Sequence, residues 1–208
     1  MDEFQDIDSE HELHRTLWER FQKGDVESFE TLTETFYRPL LNYALKLSQD
    51  KDFAADCLQE LFLELWERRR RLSNPFQIRS YLFKAIRNKV IKESIKLRRF
   101  REPIELEFFE EVNFPVELSI VASELEREKI NQLKDLLSSL TRRQKEIVYL
   151  RFYQNLEYDQ ISDIMGLTRQ SVANLLHRTL SDLRKKWIVP LLVWLLMGCT
   201  ALYFRWLP

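Results

Sequence analysis

Apolar residues recur every three or four positions along almost the whole sequence, a spacing typical of amphipathic helices. Three glycines and six prolines are all that 208 residues contain, so the chain has little of the turn-forming material that hairpins and barrels need. It contains neither a GxGxxG nor a GxxxxGK[ST] segment, which excludes the common nucleotide-binding loops. The pattern therefore predicts an all-α protein.

The first half of the chain predicts four helices. They cover residues 10–21, a segment that starts at an Asp25 cap, residues 52–71, and residues 79–99 behind the turn signal at 73–75. The positions expected to be buried are Leu13, Leu17, Trp18 and Phe21; Phe29, Leu32, Phe36, Leu40 and Leu41; Leu58, Leu61, Phe62 and Leu65; and Leu82, Ile86, Val90 and Leu97.

The net charge of −1 hides alternating blocks of charge. Residues 1–30 carry ten acidic and three basic side chains, whereas residues 67–101 carry thirteen basic and two acidic ones. Residues 102–130 are again acidic, with nine against two, and residues 141–186 are basic, with nine against five. Two basic blocks on one chain favour contact with a polyanion, although a solvated helix face is the simpler explanation of either block alone.

Two helix faces of the first half stand out. On the predicted 52–71 helix, Asp56, Gln59, Glu60, Leu63 and Glu67 form an acidic strip opposite the apolar one. On the predicted 79–99 helix, Lys84, Asn88, Lys92, Lys96 and Arg99 share the face away from the core. Such a row can neutralise successive phosphates. The nearby aromatic residues Phe76, Tyr81 and Phe83 could stack on unpaired bases, but aromatic residues at this spacing are more often core.

The second half carries the most specific pattern. TRRQ at 141–144 matches a capping box, and its helix carries Ile147, Val148, Leu150 and Phe152. Ser162, Gly166 and Val172 then have the spacing of a helix-turn-helix, with apolar residues Ile161, Met165, Leu167 and Leu175 between them. Thr168 would cap the second helix and aim its first side chains at a major groove. A plain helical hairpin is the alternative.

These patterns divide the chain into four parts. We expect an N-terminal helical domain at 10–100, an acidic linker at 101–128, a helix-turn-helix domain at 129–186, and an apolar tail helix at 187–208. Residues 187–204 contain no charge and follow Arg184, Lys185 and Lys186. That length is near the lower limit for a membrane span, so a membrane tether and a packed tail are both open.

The residues that enzymes and metal sites use are sparse. Cys57 and Cys199 form no CxxC pair, and His11 and His14 have no further ligands nearby. We expect no catalytic residue, no metal and no cofactor, hence a protein that is not an enzyme. The N-terminus does not read as a secretory signal peptide, which favours the cytoplasm.

Four motifs in order resemble the sigma-70 family of bacterial transcription initiation factors, and within it the short extracytoplasmic-function (ECF) type. They are GDVESF at 24–29 with YRPLL at 37–41, ADCLQELFLELW at 55–66, IRSYLFKAIRN at 78–88, and LTRRQ at 140–144 with the helix-turn-helix through residue 184. The resemblance covers roughly residues 10–186.

The resemblance implies a protein that binds RNA polymerase core, directs it to promoters and helps DNA melting. It implies that the clamp helices of the largest polymerase subunit bind Asp56, Gln59, Glu60, Leu63 and Trp66. It places the −10 promoter element on Phe76, Arg79, Tyr81, Lys84, Arg87, Asn88 and Lys92, with a flipped base captured near residues 73–80. It places the −35 element on Thr168, Arg169, Gln170, Ser171, Asn174, His177 and Arg178. An anti-sigma factor is a further implied partner.

Two other functions are compatible with parts of the pattern. A stand-alone helix-turn-helix regulator, free or tethered to a membrane, would bind duplex DNA tightly without polymerase, usually at a palindromic site. A helical interaction protein would show no salt-dependent affinity for DNA. Neither accounts for both the acidic strip and the basic aromatic helix in one domain.

Overall fold

The computed structural model describes the backbone of residues 2–100 and 136–185, with side chains from residue 11 to 97 and from 136 onward. All regular structure in these ranges is helical, so the all-α prediction is confirmed. The predicted linker at 101–128, residues 129–135 and the apolar tail, including the candidate membrane span at 187–204, lie outside the described residues. Within the described part, no helix is long and apolar enough to cross a membrane.

We call residues 2–100 the N-terminal unit. It contains α1 (Asp2–Gln22), α2 (Val26–Ser48), α3 (Lys51–Arg68), a 3₁₀ turn (Arg69–Arg71) and α4 (Ile78–Phe100). Helix α1 begins eight residues before the predicted start. The turn between α1 and α2 requires a positive φ of 97° at Gly24, which glycine adopts without steric cost.

We call residues 136–185 the C-terminal unit. After a helical stretch at 136–138 come α5 (Arg142–Val148), a π-helical continuation (Tyr149–Tyr153), α6 (Tyr158–Met165) and α7 at 169–185. Gln144 Oε1 accepts the backbone N–H of Thr141 at 2.9 Å, so the predicted capping box lies at the start of α5.

The core of the N-terminal unit forms where α2 packs against α1, α3 and α4. The largest side chains that lose essentially all contact with solvent in it are Trp18, Phe21, Leu40, Tyr43, Leu58, Phe83 and Ile86. The core continues into the C-terminal unit through Tyr149, because its ring stacks on that of Tyr43 at 5.8 Å between centroids. The two units are therefore packed against each other.

Most predicted core positions are buried or half-buried, but Leu13 and Leu97 are wrong, and Phe152, an apolar position of the helix after residue 141, is exposed as well. Leu13 is 57% exposed, Leu97 is 44% exposed and Phe152 is 58% exposed. On α1 the neighbouring His14 takes the core position, where its ring packs on that of Phe36 at 4.9 Å, and Leu13 faces solvent. Leu97 lies near the end of α4, beyond the buried residues Val90 and Ser94. Phe152 lies in the π-helical segment, whose wider turn rotates it away from the face that buries Ile147 and Leu150.

Helix α3 has a well-formed N-terminal cap that the sequence pattern did not single out. Asp50 Oδ1 accepts the backbone N–H groups of Asp52 and Phe53, both at 3.0 Å. The predicted cap of α2 works differently: Asp25 occupies the cap position, but its carboxylate accepts the hydroxyl of Ser28 at 2.6 Å. Asp50 thus satisfies two otherwise unpaired backbone donors.

We expect Asp50→Ala to lower the free energy of unfolding by about 1 kcal/mol, the usual cost of losing an N-cap side chain. Urea unfolding at pH 7, followed by far-ultraviolet circular dichroism, measures this. Lys51→Ala is the control because Lys51 is exposed at the first helical position. Equal midpoints for Asp50→Ala and the wild type would contradict the capping role.

Candidate nucleic-acid interface

The helix-turn-helix is built by α6, a tight turn and α7. Gly166 ends α6 in the left-handed region at φ 64° and donates its N–H to the carbonyl of Ser162. The next residue, Leu167, donates to the same carbonyl at 2.9 Å. Val172 and Leu176 on α7 are buried, and they seat this helix on α6. The predicted spacing of Ser162, Gly166 and Val172 is thus realised as a helix-turn-helix.

Helix α7 begins as the sequence predicts. The hydroxyl of Thr168 accepts the backbone N–H of Ser171 at 3.1 Å, which is the geometry of an N-cap. Leu175 is half-buried rather than fully buried, and the adjacent Leu176 takes the core position.

The side chains expected to read duplex DNA all lie in solvent. They are Thr168, Arg169, Gln170, Ser171, Asn174, His177 and Arg178. Gln170 donates from Nε2 to Oδ1 of Asn174 at 3.0 Å, so these two amides are already held side by side. Arg169 Nε lies 3.5 Å from a carboxylate oxygen of Asp159 on α6. The first turn of α7 therefore presents a cation and paired amides to solvent.

Helix α4 does not present its predicted contact residues on a single open face. Arg79, Lys84 and Arg87 point toward the C-terminal unit and bond to side chains there. The others point elsewhere: Tyr81, Asn88 and Lys92 line a cavity of about 240 Å³ between α3 and α4. The residues of α4 that were predicted to contact the −10 element therefore form two separate groups. One group faces the C-terminal unit and the other faces the cavity beside α3.

The loop before α4 carries an exposed aromatic ring and is held in place by hydrogen bonds to α1. Phe76 is 91% exposed. The loop is tied to α1 because Trp18 Nε1 donates to the carbonyl of Ser73 at 3.2 Å and Gln22 Nε2 donates to that of Leu72 at 2.6 Å. Trp18 also meets the ring of Tyr81 edge-on at 5.4 Å. The sequence pattern assigned Trp18 to the core but gave no signal of these loop contacts.

The acidic strip on α3 is exposed at every predicted member. Asp56, Gln59, Glu60 and Leu63 all face solvent, and Leu63 is 63% exposed. Trp66 does not belong to this strip: its ring packs beside Phe29 at 5.1 Å and beneath the guanidinium of Arg69 at 4.2 Å. Trp66 lies on the edge of the α3 core face, where an aromatic ring completes the packing with α1 and α2.

A buried lysine on α4 modifies the strip in a way that the sequence did not reveal. Lys89 Nζ lies 2.9 Å from both Glu60 and Glu64. Burial by itself lowers the pKa of Lys89, but the hydrogen bonds to the two glutamates outweigh it and leave that pKa raised. The hydrogen bond from Lys89 lowers the pKa of Glu64. Lys89 therefore stays charged and offsets part of the negative charge of α3.

Cys57 lies on the inner side of the same helix. Burial, followed by the charge of Glu60, raises the pKa of its thiol to about 12. A thiol with such a pKa is protonated at neutral pH and is a poor nucleophile. Cys57 therefore acts as a packing residue.

The two units meet at a buried polar cluster. Tyr43 Oη donates to Oε1 of Glu146 at 2.7 Å, and Arg87 Nε donates to the same oxygen at 2.7 Å. Next to it, Gln154 Nε2 donates to the hydroxyl of Tyr149 at 2.9 Å. Burial and the charge of Glu146 raise the pKa of Tyr43 well above its ordinary value, and burial raises the pKa of Tyr149 to about 12.

Comparisons with known proteins identify a family for each of the two helical units. The model of sigma-70 region 2 matches residues 32–100, and that of sigma-70 region 4 matches residues 130–183, together more than half of the chain. RNA polymerase sigma factor SigV of Bacillus subtilis (strain 168) is 25% identical over 151 residues, which are 73% of this chain and 83% of that protein. ECF RNA polymerase sigma factor SigX of the same organism is 22% identical over 161 residues, 76% of this chain and 83% of that protein.

A solved structure shows the same fold. It is the sigma factor RpoE in complex with the anti-sigma factor NepR from Bartonella quintana, with a TM-score of 0.54 and 18% identity over 79% of this chain and 99% of that chain. The chain belongs to the sigma-70 family of transcription initiation factors. Within that family it is an RNA polymerase sigma factor of the ECF type.

The buried tyrosines between the two units make stability sensitive to alkaline pH. In the unfolded chain tyrosines titrate near pH 10, whereas Tyr149 titrates near 12 and Tyr43 well above its ordinary value when folded. Their contribution to the free energy of unfolding is complete below about pH 10. It is lost as the pH rises toward 12, because the unfolded state then releases protons that the folded state retains. Tyr149 alone accounts for a loss of about 2–3 kcal/mol.

Urea unfolding at intervals between pH 8 and pH 12 measures this loss. Tyr149→Phe should make the decline shallower, whereas Tyr37→Phe, which removes the hydroxyl of an exposed tyrosine, should leave it as in the wild type. Stability that stays constant from pH 10 to 12, or equal slopes for Tyr149→Phe and the wild type, would contradict the assignment.

Proposed function

We propose that this sigma factor docks on polymerase core through the exposed strip of α3, contacts the −10 element through α4 and the loop before it, and reads the −35 element through the start of α7. The protein performs no bond chemistry in this scheme, since it supplies sequence specificity to the polymerase. The observation that carries the proposal is the capped start of α7, where seven polar side chains lie exposed after a helix-turn-helix.

For the −35 element, the proposal is supported by the residue types at the first turn of α7. Arginine pairs in two-bond fashion with the major-groove edge of guanine, and an amide does so with adenine. Arg169 supplies the first kind of group. Gln170 and Asn174 supply the second, and their mutual hydrogen bond reduces the freedom that they lose on binding.

For the −10 element, support comes from an exposed aromatic ring next to a basic helix. Phe76 is 91% exposed and precedes α4, whose predicted contacts include Lys84, Arg87 and Lys92. A base that leaves the duplex can stack on an aromatic ring, and the stacking energy offsets the few kcal/mol needed to flip the base. Basic side chains along α4 would hold the backbone of that strand.

The proposed contact with polymerase core is supported by one large apolar side chain that lies exposed within the acidic strip of α3. Leu63 is exposed between Asp56, Gln59 and Glu60 on one side and Glu67 on the other. Protein interfaces are centred on such apolar anchors with a polar rim. The strip therefore suits a basic partner surface with an apolar pocket.

An anti-sigma factor is the further partner that we propose. The fold of this chain is that of a sigma factor whose solved structure includes its anti-sigma factor NepR. An inhibitor that covered α3 or α4 would block the proposed contacts with core and with the −10 element. We place the action of the protein in the cytoplasm, where polymerase and promoter DNA are.

In vitro transcription with purified bacterial core polymerase and a library of promoter sequences tests the function as a whole. The full chain and core together should start transcripts at defined sites, and neither should do so alone. Tight binding to duplex DNA without association with core would instead favour a stand-alone regulator. An absence of any salt-dependent DNA affinity, with or without core, would favour a helical interaction protein.

We expect Leu63→Glu to weaken binding to core polymerase at least tenfold, because it places a charge at the centre of the apolar contact. Val26→Glu is a matched control: Val26 is also 63% exposed, but it begins α2, away from the strip. Titration of fluorescently labelled protein with core measures both affinities. Equal affinities for the two variants would place core binding elsewhere.

We expect Arg169→Ala to lower affinity for the −35 element by about 1–3 kcal/mol and to relax base preference at one position. Lys185→Ala removes the same charge from the exposed far end of α7 and should weaken binding evenly across sequences. Holoenzyme binding to a library randomised in the −35 region measures both effects. An unchanged preference in Arg169→Ala would remove Arg169 from base recognition.

A further inference from the structure

A buried lysine lies at the border between the surfaces that we propose for core polymerase and for the −10 element. Lys89 Nζ on α4 lies 2.9 Å from Oε2 of Glu60 and 2.9 Å from Oε1 of Glu64, which are one turn apart on α3. Glu60 belongs to the acidic strip, whereas Glu64 lines the cavity between α3 and α4. The ammonium group of Lys89 therefore contacts one carboxylate from each surface.

The cavity is the place where charge on α3 bears on DNA binding. Three of the residues proposed for the −10 element line it, namely Tyr81, Asn88 and Lys92. Two carboxylates, those of Glu64 and Glu93, line it too. A DNA strand that approaches these residues brings phosphate groups, and an uncompensated carboxylate within a few ångströms repels them. The charge state of the cavity therefore affects the binding of DNA.

Each of the two cavity carboxylates is neutralised by a lysine of α4. Lys96 Nζ donates to the two oxygens of Glu93 at 2.7 and 2.9 Å, and Lys89 Nζ donates to Glu64 at 2.9 Å. In total, three basic and two acidic side chains line the cavity, and Lys89 is one of the basic ones. Loss of Lys89 would therefore remove the net positive charge of the cavity lining.

Lys89 is not positioned to contact DNA itself. It is only 8% exposed, and its ammonium group is already bonded to two carboxylates. The hydrogen bonds to these glutamates outweigh the effect of burial and leave the pKa of Lys89 raised, so the side chain stays charged. Any effect of Lys89 on DNA must therefore act through Glu64, the partner that lines the cavity.

We infer that Lys89 is a positioning residue that divides the negative charge of α3 between the two proposed surfaces. It neutralises Glu64 beside the residues that contact the −10 element, and it leaves most of the acidic strip available to core polymerase. The inference rests on the proposed roles of α3 and α4, and it adds one residue through which both contacts are tuned.

Loss of Lys89 should affect the two partners in opposite directions. Without the ammonium group, the carboxylate of Glu64 repels phosphates at the cavity, so DNA binding weakens. The strip that includes Glu60 becomes more negative at the same time, so a basic partner surface binds it at least as tightly as before. A lysine that only holds α3 against α4 would instead weaken both interactions when it is removed.

Lys89→Met tests this division of charge, because methionine fills the buried space of the lysine stem with an unbranched apolar chain. With core saturating, binding of a forked −10 probe should weaken about fivefold at low salt, the effect of one unit charge a few ångströms from a phosphate in water. The loss should shrink as salt is raised from about 0.05 to 0.3 M, because the charge is then screened. Titration of labelled protein with core should show an equal or higher affinity.

Lys51→Met is the matched control for Lys89→Met. It removes the same charge from the exposed first residue of α3, about 20 Å along the helix from Glu64. This distance exceeds the screening length of about 10 Å at 0.1 M salt. Both affinities of Lys51→Met should therefore equal those of the wild type.

A second substitution should restore DNA binding. Glu64→Gln in the Lys89→Met background removes the uncompensated charge and should return probe affinity to within about twofold of the wild type. Glu34→Gln in the same background removes one negative charge from an exposed position of α2 and should not restore it. Glu64→Gln alone leaves Lys89 with an excess of positive charge and should tighten probe binding about fivefold.

Four results would overturn the inference. They are wild-type probe affinity in Lys89→Met, an equal loss of affinity for probe and core, rescue by Glu34→Gln as complete as by Glu64→Gln, and wild-type probe affinity in Glu64→Gln alone. The last test does not require Lys89→Met to fold, because Glu64 is half exposed. A wild-type holoenzyme that binds the −10 probe no better than a scrambled one would contradict the proposed role of α4 instead, so the two failures are distinguishable.

Discussion

One buried carboxylate oxygen joins the two halves of this protein. Oε1 of Glu146 accepts both the Tyr43 hydroxyl and the Arg87 guanidinium, each at 2.7 Å. A buried carboxylate without partners would be strongly unfavourable, so the C-terminal unit can bury Glu146 only where both donors are present. The position of the C-terminal unit on α2 and α4 depends on this requirement.

The buried polar cluster fixes how the two units are oriented, but it adds little to the free energy that holds them together. Desolvation of two charges cancels much of their attraction, so a buried ion pair adds little net stability, while separating the partners into water lets each recover its hydration. The apolar contribution comes mainly from the stacked rings of Tyr43 and Tyr149. The polar pairings and the stacked rings therefore define the geometry of the interface more than they add to its stability.

Helix α4 contacts the N-terminal core, helix α3 and the C-terminal unit through different side chains. Its inner face completes the N-terminal core with Leu82, Phe83 and Ile86, and Lys89 ties it to the acidic side of α3. Of its other basic residues, Arg79, Lys84 and Arg87 bond to the C-terminal unit and Lys92 lines the cavity beside α3.

Much of this protein could be predicted from its sequence because the deciding interactions are local. The helical period, the cap and glycine of the helix-turn-helix, and the exposed first turn of α7 all depend on residues within a few positions of one another. The sequence also predicted the exposed strip on α3, whereas Trp66, which the family resemblance grouped with these residues, packs against α1 and α2. The helical period predicted burial wrongly at Leu13 and Leu97, because burial depends on which element packs against a helix face, and spacing along the sequence does not show this. Pairings such as Tyr43 with Glu146, 103 residues apart, join side chains that only the packed helices bring together. Local sequence thus determined which surfaces this protein carries, and tertiary packing decided which of them face solvent and which face each other.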